Sequence, residues 1–376
     1  MAVAGLIFSN IHNSEIPELT SVRTMASVPF GCRYRLIDFP LSNMVNSGVT
    51  KIGVIAHNNY QSLMDHIGTG KDWDLARRSG GIKILPPFIT SYDSGNNKLY
   101  RNRLEALMGV SHFISKCTEE YIVLSDCDFI CNIDLDEVLE DHIAKNADMT
   151  IVTRTLKAKE AKPTEGVVKF VVDAEGRATD IEIYRGDDEQ KDISTNIMIA
   201  NRMFLLGLIN EAISHSYKQF YQEAILSRLN ASRINCFRYE GIYLQISSLE
   251  SYFASSMQLL NPEVRQGLFN ADNRAIYTKL RNSAPTVYAE GSKVTNSYVA
   301  DGCVIEGTVE NSIIFRGVHI GKGTVVKNSI LLQDTFTGTN VSLNCVITDK
   351  NAVIRNNRVL SGHESMPFFI SKGAMV

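Results

Sequence analysis

Residues 312–332 read "SIIFRGVHIGKGTVVKNSILL". Within them Ile314, Ile320, Val326 and Leu332 stand six residues apart, with small polar residues such as Gly, Asn, Ser and Thr between. An aliphatic residue every sixth position is the mark of a left-handed parallel β-helix, one flat face per hexapeptide. Upstream, Val299 and Ile305 keep the same spacing; downstream, Val341, Ile347, Val353 and Val359 resume it after a register shift. An irregular β-sandwich has no reason to hold period six. Residues 286–376 are therefore expected to form a β-helix domain.

Ahead of it the periodicity is different. Short β-rich runs ("VAGLIF", "KIGVIA", "IKILPPF", "YIVLSD", "MTIVTRTL", "VVKFVV", "NIMIAN") alternate with helical patterns such as "RLEALMGVSHFI" and "LDEVLEDHIAKNA". Unbroken Val/Ile/Leu runs separated by helices predict a doubly wound α/β domain over 1–255, its sheet parallel and covered on both faces. Ligands of such sheets bind at the carboxyl ends of the strands. Residues 256–285 read as a linker.

With 44% apolar and 21% charged residues and a net charge of −3, the chain offers no electrostatic reason to bind nucleic acid or an anionic membrane. No apolar run approaches the roughly 20 residues that span a bilayer. "MAVAGLIFSN" reads as a strand instead of a signal peptide, which predicts a cytoplasmic protein. The seven cysteines are scattered, and the Cys127/Cys131 pair lacks a second pair at zinc spacing, so reduced, buried thiols are expected.

The loop after the first strand is where a phosphate cradle belongs, yet "GLIFSNIHNSEIPELTSVRTMASVPFG" (5–31) has no glycine between Gly5 and Gly31. The next segment, "VPFGCRYRLIDFPLSNMVNSGVTKIGV" (28–54), together with the α/β-plus-hexapeptide order, resembles the ADP-glucose pyrophosphorylases (the glucose-1-phosphate adenylyltransferase family). Within that family it is most similar to the GlgD-type glycogen biosynthesis subunits. Catalysts with this frame join glucose 1-phosphate to ATP and release pyrophosphate. That displacement at phosphorus needs backbone amides on the triphosphate, cations on the leaving group and carboxylates on Mg²⁺.

The resemblance implies what each residue of the site should be. The family's GGxGxRLxPLTxxRxKP motif, set on "LTSVR", places its glycines at Asn10, Ile11 and Asn13 and its first arginine at Glu15. A carboxylate there repels a phosphate by about 4 kcal/mol at contact in a partly screened site. The motif's lysine falls on Met25 and its proline on Ala26; Leu19, Thr20 and Arg23 survive. A nucleotide-contacting stretch reads "YRNRLEA", keeping Tyr100 and Ala106 and placing Glu105 for an Asp. The Gly-Asp-His metal motif reads Cys127, Asp128, Phe129, so Asp128 is a candidate Mg²⁺ ligand or, equally, a turn cap. The second metal carboxylate aligns with the neutral Gln245. The sugar-phosphate lysine is lost near Arg185, whose charge is a partial substitute, and Ser194 remains of a further substrate motif. A basic residue of the family's activator site aligns with Arg33, which also has Asp38 nearby in sequence, as has Arg35.

Taken together, the resemblance implies a regulatory, catalytically deficient subunit. No resident cofactor is certain, and Mg²⁺ sits in a catalytic partner of GlgC type. The two form a heterotetramer open to a sugar-phosphate effector. Segment 27–58 would be retained for folding and assembly. A second reading keeps an active nucleotidyltransferase whose rebuilt loop relies on Arg23, Arg103 and Arg185 as cations. A third, a β-helix acyltransferase, rests on His319 or His363 as base. Trp73 reads as a packing anchor.

Overall fold

"VAGLIF" does form the first strand, and it is central. The computed structural model describes residues 2–87, 100–156, 168–183, 191–271 and 273–376. Within the α/β unit the strands are β1 (Val3–Phe8), β2 (Lys51–Ile55), β3 (Gly81–Leu85), β4 (Tyr121–Ser125), β5 (Phe129–Cys131) and β6 (Met149–Leu156). They continue as β7 (Val168–Val172), β8 (Ala178–Ile183), β9 (Lys191–Asn201), β10 (Ile234–Arg238) and β11 (Tyr243–Gln245). Nine of them make one sheet in the order β8-β7-β9-β4-β1-β2-β3, with β6 pairing β9 and β10.

β1 runs parallel to β2 and β4, and β2 parallel to β3. β9, however, is antiparallel to β4, β6 and β7, so the sheet is mixed and the expectation of a wholly parallel one fails. The reason is that burial on both faces produces an apolar run whatever the strand direction: Ile197, Met198, Ile199 and Ala200 of β9 are all buried.

Alternation along β1 assigns the two faces. Ala4, Leu6 and Phe8 pack with Leu104 and Leu107 of α3 (Arg103–Gly109) and Leu205 and Leu208 of α5 (Arg202–His215). Ile7 points the other way, toward Leu41 of α1 (Asp38–Asn46), Leu63 of α2 (Gln61–Ile67) and Val138 of α4 (Leu135–Ala144).

The hexapeptide segment winds into three parallel sheets of five short strands each, the left-handed β-helix that period six predicts. Its corners need left-handed backbone, and the small polar fillers supply it: Asn296, Asn311, Asn328 and Cys345 occupy one corner column with φ between 41 and 52°. Ile314, Ile320, Val326, Leu332, Val341 and Ile347 are buried. Four positions are corrections: Leu332 and Ile347 are buried outside the coil, against the α/β unit, with Leu331 in register with Ile314, and Val353 and Val359 also leave the interior. Val359 is 76% exposed and Val353 only half-buried, while Ile354 takes the inward place. The reason is coil length: Phe336 pairs with Val353, a step one residue short of three hexapeptides, so counting by sixes drifts out of register.

A third apolar cluster joins the two units. It unites Ile16, Leu19, Met25 and Phe30 with Tyr252 of α6 (Leu249–Gln258) and with Ile313, Phe315, Ile330 and Ile347 of the β-helix. The stretch read as a linker is packed into this cluster: it contains α7 (Pro262–Phe269), and Leu259, Leu268 and Ile276 are buried. Asn132 fastens it by donating to the carbonyls of Leu268 and Arg274, each at 2.8 Å. The apolar positions of "FPLSNMVNSG", within the segment expected to serve folding and assembly, are used within the chain. Phe39, Leu41 and Met44 are buried, Asn43 donates to the Cys131 carbonyl, and Asn46 donates to that of Ala275. All seven cysteines are buried, unpaired thiols, and Trp73 is buried against His66.

Candidate active site

Two loops meet at the carboxyl ends of β1 and β4. Alternation continues past β4, so Asp126 and Asp128 face the same side while Cys127 turns into the opposite core. Both carboxylates are fully buried. Across from them, the loop after β1 is braced by the side chains that replace glycine. Asn10 accepts from the His57 amide at 3.1 Å and donates to the Asn58 carbonyl at 3.2 Å. Asn13 accepts from the Met25 amide at 2.7 Å, and Thr20 donates to the Asn13 carbonyl at 2.6 Å. The loop is a folded element with a short turn at Asn13–Glu15. Its side chains occupy the Met25 and His57 amides, donors of the kind that an open glycine loop leaves for phosphate.

At its centre is His12, which sequence reading passed over because it fills a free position of the glycine motif. One ring nitrogen lies 2.7 Å from Glu15 Oε1 and the other 2.8 Å from Asp126 Oδ2, with Asp128 Oδ2 at 3.6 Å. Carboxylates only accept, so both ring nitrogens carry protons and the imidazole is cationic. Burial works against that charge, but Asp128 and the hydrogen bonds from Asp126 and Glu15 outweigh it and raise the His12 pKa well above its usual range.

Arg103 is the second cation. Its guanidinium bonds Asp126 and is boxed by the rings of Phe8, Phe220 and Tyr221 at 5.4–5.7 Å. Although burial opposes it, Arg103 and His12 together hold the Asp126 carboxyl below the ordinary range. Asp128 goes the other way, pushed up chiefly by burial. Four buried carboxylate oxygens have no hydrogen-bond partner among the described residues: Glu15 Oε2, Asp126 Oδ1 and both of Asp128. Asp126 was legible in principle, since "SDCD" after a strand places two acids on one face.

The remaining sequence candidates divide. Gln245 does lie beside the acids: β11 pairs with β5 in the register Gln245↔Phe129, and the Ile246 amide donates to the Asp128 carbonyl at 2.7 Å. Ser194 bonds the Tyr221 hydroxyl at 2.8 Å, in the wall that holds Arg103. Tyr100 packs edge-on to His57, its hydroxyl unpartnered among the described residues. Glu105 accepts from the Arg101 amide at 2.7 Å and serves the start of α3. Met25 is buried in the third apolar cluster, and Arg23 leaves the site altogether. Its guanidinium donates to both oxygens of Asp349 in the β-helix, at 2.9 Å each. Arg185 lies outside the described residues.

Arg33 belongs to a second site, a pocket between the α/β unit and the β-helix. Arg33, Arg35, Lys279, Arg281, Arg316 and Lys350 line it, and among the described residues no carboxylate does. The Arg35 guanidinium is held by Ser62, while Asp38 accepts its backbone amide and pairs with His66. Burial, opposed by Asp38 and aided by Arg281 and Arg23, pulls Arg35 down to about 10. Lys350 falls to about 7, through burial and then the charges of Arg35 and Arg23, with Asp349 opposing. His319, on the β-helix, stacks on Phe336 with Glu306 at 3.7 Å, and His363 bonds Ser365.

A strand-end acid pair facing a loop, on an α/β sheet that carries a hexapeptide β-helix, defines a protein of the nucleotidyltransferase class. Residues 15–182 match the Nucleotidyl transferase family, and residues 284–365 match the family described as GlmU-like, C-terminal hexapeptide. The chain is 34% identical over 372 residues to the Glycogen biosynthesis protein GlgD of Bacillus subtilis, covering 98% of this chain and 95% of that one. It is 32% identical to the Glucose-1-phosphate adenylyltransferases of Clostridium botulinum (strain Alaska E43 / Type E3), over 87% of this chain and 84% of the relative, and of Thermotoga maritima, over 86% and 76%. The chain belongs to the glucose-1-phosphate adenylyltransferase (ADP-glucose pyrophosphorylase) family.

The Mg²⁺ on which nucleotidyltransferases generally rely wants a near-octahedral set of oxygens. The residues here do not fit that ion: Gln245 is neutral, and an imidazolium and a guanidinium already lie on Asp126. Among the described residues no helix is long and apolar enough to cross a membrane.

Proposed function

We propose that this chain is a regulatory subunit, with little or no activity of its own, for ADP-glucose synthesis in the cytoplasmic pathway of glycogen biosynthesis. Its partner is a catalytic subunit of the same family, of GlgC type, joined with it in a heterotetramer. The observation that carries this reading is the loop. His12 and Arg103 already neutralise the acids that a metal and nucleotide would meet, and the side chains of Asn13 and Asn10 occupy the backbone amides of Met25 and His57. The reading of an active enzyme with substitute cations loses support. Arg23 is committed to Asp349 and Arg103 to Asp126.

The contact with the partner follows the β-helix. Register aligns Val287, Val304, His319, Phe336 and Val353 in one outward stripe along a flat face. Val287 and Phe336 on it are exposed. Such a face favours burial against another subunit. Mixing the chain with a catalytic relative is expected to yield one larger species in size-exclusion chromatography and a turnover or substrate affinity different from the relative's alone. Separate elution at micromolar concentration, with mixed rates equal to single-subunit rates, refutes the reading.

The cationic pocket is assigned to a phosphorylated effector, deepening the role of Arg33. Lys350 supplies a pH signature. Its folded pKa, near 7, lies below the ordinary lysine value, so above pH 7 the amine is neutral and must take up a proton to hold a dianion. Sulfate, which keeps its charge over this range, should therefore bind more weakly as pH rises from 7 to 9, by up to about tenfold per unit. Lys350→Met should weaken binding at pH 7 and flatten this dependence. Calorimetric titration showing pH-independent sulfate affinity in the unaltered protein would contradict the assignment.

A further inference from the structure

The large sheet ends at β3, and a hollow of about 340 Å³ lies between that edge and the helices on one face. Its wall is apolar, made by Leu85, Val110 and Phe113, and Lys51, Lys83 and Lys116 stand around it. Register and alternation place these groups together: Lys83 and Leu85 of β3 share a face with Lys51 and Gly53 of β2. Gly53 forms the packed floor, since a side chain there would strike Leu6, Leu85 and Phe113. Gly109, at the last position of α3, is different. A Cβ added there meets nothing within 4 Å, and its φ is not left-handed, so no turn calls for glycine. The missing side chain leaves the hollow open.

The volume falls in the range of small-molecule sites, about 300–1,000 Å³, which are mostly apolar with a few polar groups. Lys51 is paired with Glu119 at 2.9 Å. Lys83 and Lys116 are exposed and have no carboxylate partner among the described residues, and no described carboxylate lines the hollow. A lysine on an edge strand guards against strand pairing, which accounts for Lys83 alone. Lys116 follows the short helix Ser111–Ser115, and edge protection gives no reason for it to join Lys83 beside an apolar wall.

We propose that this hollow binds a small amphipathic carboxylate. Lys83 and Lys116 hold the carboxylate, and its apolar body lies on Leu85, Val110 and Phe113 in the space beside Gly109. A purely polar anion would leave that wall in water, and a neutral apolar molecule would forgo both ammonium groups. The hollow shares no lining residue with the cationic pocket and is separate from the acids after β4, so the inference does not rest on the regulatory reading.

The full-length chain is titrated calorimetrically with octanoate and 2-naphthoate, a straight and an aromatic body, and with octan-1-ol as the uncharged counterpart. At least one of the acids is expected to bind once per chain with a Kd below about 1 mM, and octan-1-ol at least about tenfold more weakly than octanoate. The tighter acid tells whether the natural ligand is aliphatic or aromatic; either result supports the site. Gly109→Leu fills the open space at a helical position, so it should weaken the acid at least about tenfold without lowering the urea midpoint. Lys83→Gln with Lys116→Gln should weaken the acid at least about tenfold and leave octan-1-ol unchanged. Because the unaltered chain carries the first test, a variant that misfolds does not rescue the idea. Failure of both acids to bind below about 1 mM overturns the site. So does an affinity indifferent to Gly109→Leu, octan-1-ol binding as tightly as octanoate, or displacement of the acid by sulfate, which would put it in the cationic pocket.

Discussion

Given Mg·ATP and glucose 1-phosphate, the pure chain is expected to make ADP-glucose at least about 10³-fold more slowly than a catalytic relative under the same conditions. Removing one transition-state donor commonly costs about 10²–10³ in rate, and losses in one site do not simply multiply, so the bound is conservative. By the family resemblance a loop arginine is replaced by Glu15, a lysine by Met25 and a metal carboxylate by Gln245, while His12 and Arg103 occupy the acids. Mg·ATP itself should bind in the millimolar range or not at all, about −4 kcal/mol at best. Nor should Met25→Lys restore activity: that side chain is buried among Ile16, Leu19 and Val28, so the new ammonium would destabilise the fold instead of reaching phosphate. Coupled pyrophosphate assays and calorimetry decide the matter. A rate within tenfold of the relative's, or a low-micromolar Mg·ATP constant, would overthrow the inactive-site account.

Asp349→Ala is expected to destabilise the chain by about 3–5 kcal/mol, the usual result of stranding one member of a buried ion pair. Arg23 and Asp349 are almost wholly inaccessible, and among the described residues no second carboxylate is bonded to Arg23; its other guanidinium contact is the Leu19 carbonyl at 3.1 Å. Replacing both partners with apolar residues (Arg23→Met with Asp349→Leu) should recover most of the loss, because the desolvated charge is then gone. Urea titrations of the three chains measure this. If Asp349→Ala stays within about 0.5 kcal/mol of the unaltered protein, below what such pairs ordinarily show, the pair does not hold the β-helix against the loop. The same pair places Lys350, next in sequence to Asp349, at the cationic pocket, so loop and pocket share one rigid contact.

How far the sequence reached can be seen residue by residue. Period six, with Asn and Gly at the corners, was enough for the β-helix, since each coil contacts only its neighbours and its signal is local. Its end drifted because the later coils step one residue short of three hexapeptides, so an exact period of six slips out of register. Strand runs located β1, β4 and β9, but not the reversed direction of β9, as a run buried on both faces reads alike either way. The missing glycines, Glu15 and Gln245 pointed, through the family resemblance, to a decayed catalytic motif, and Asp128 does lie just past a strand end.

Other features came only with the tertiary structure, because they join residues far apart in the chain. Arg23 survives in its motif, yet its partner is 326 residues away, and only the docking of the β-helix turns it from a phosphate cation into a structural one. His12 looked like filler until the fold laid it between Glu15 and Asp126, 114 residues on. The six cations of the pocket come from residues 33–35 ahead of α1, the α7–β-helix connection and the β-helix, and no single window contains them. Local periodicity specifies the backbone frame; where a charge finds its counter-charge depends on how the frames pack, and that pairing decides what each charged residue is free to do.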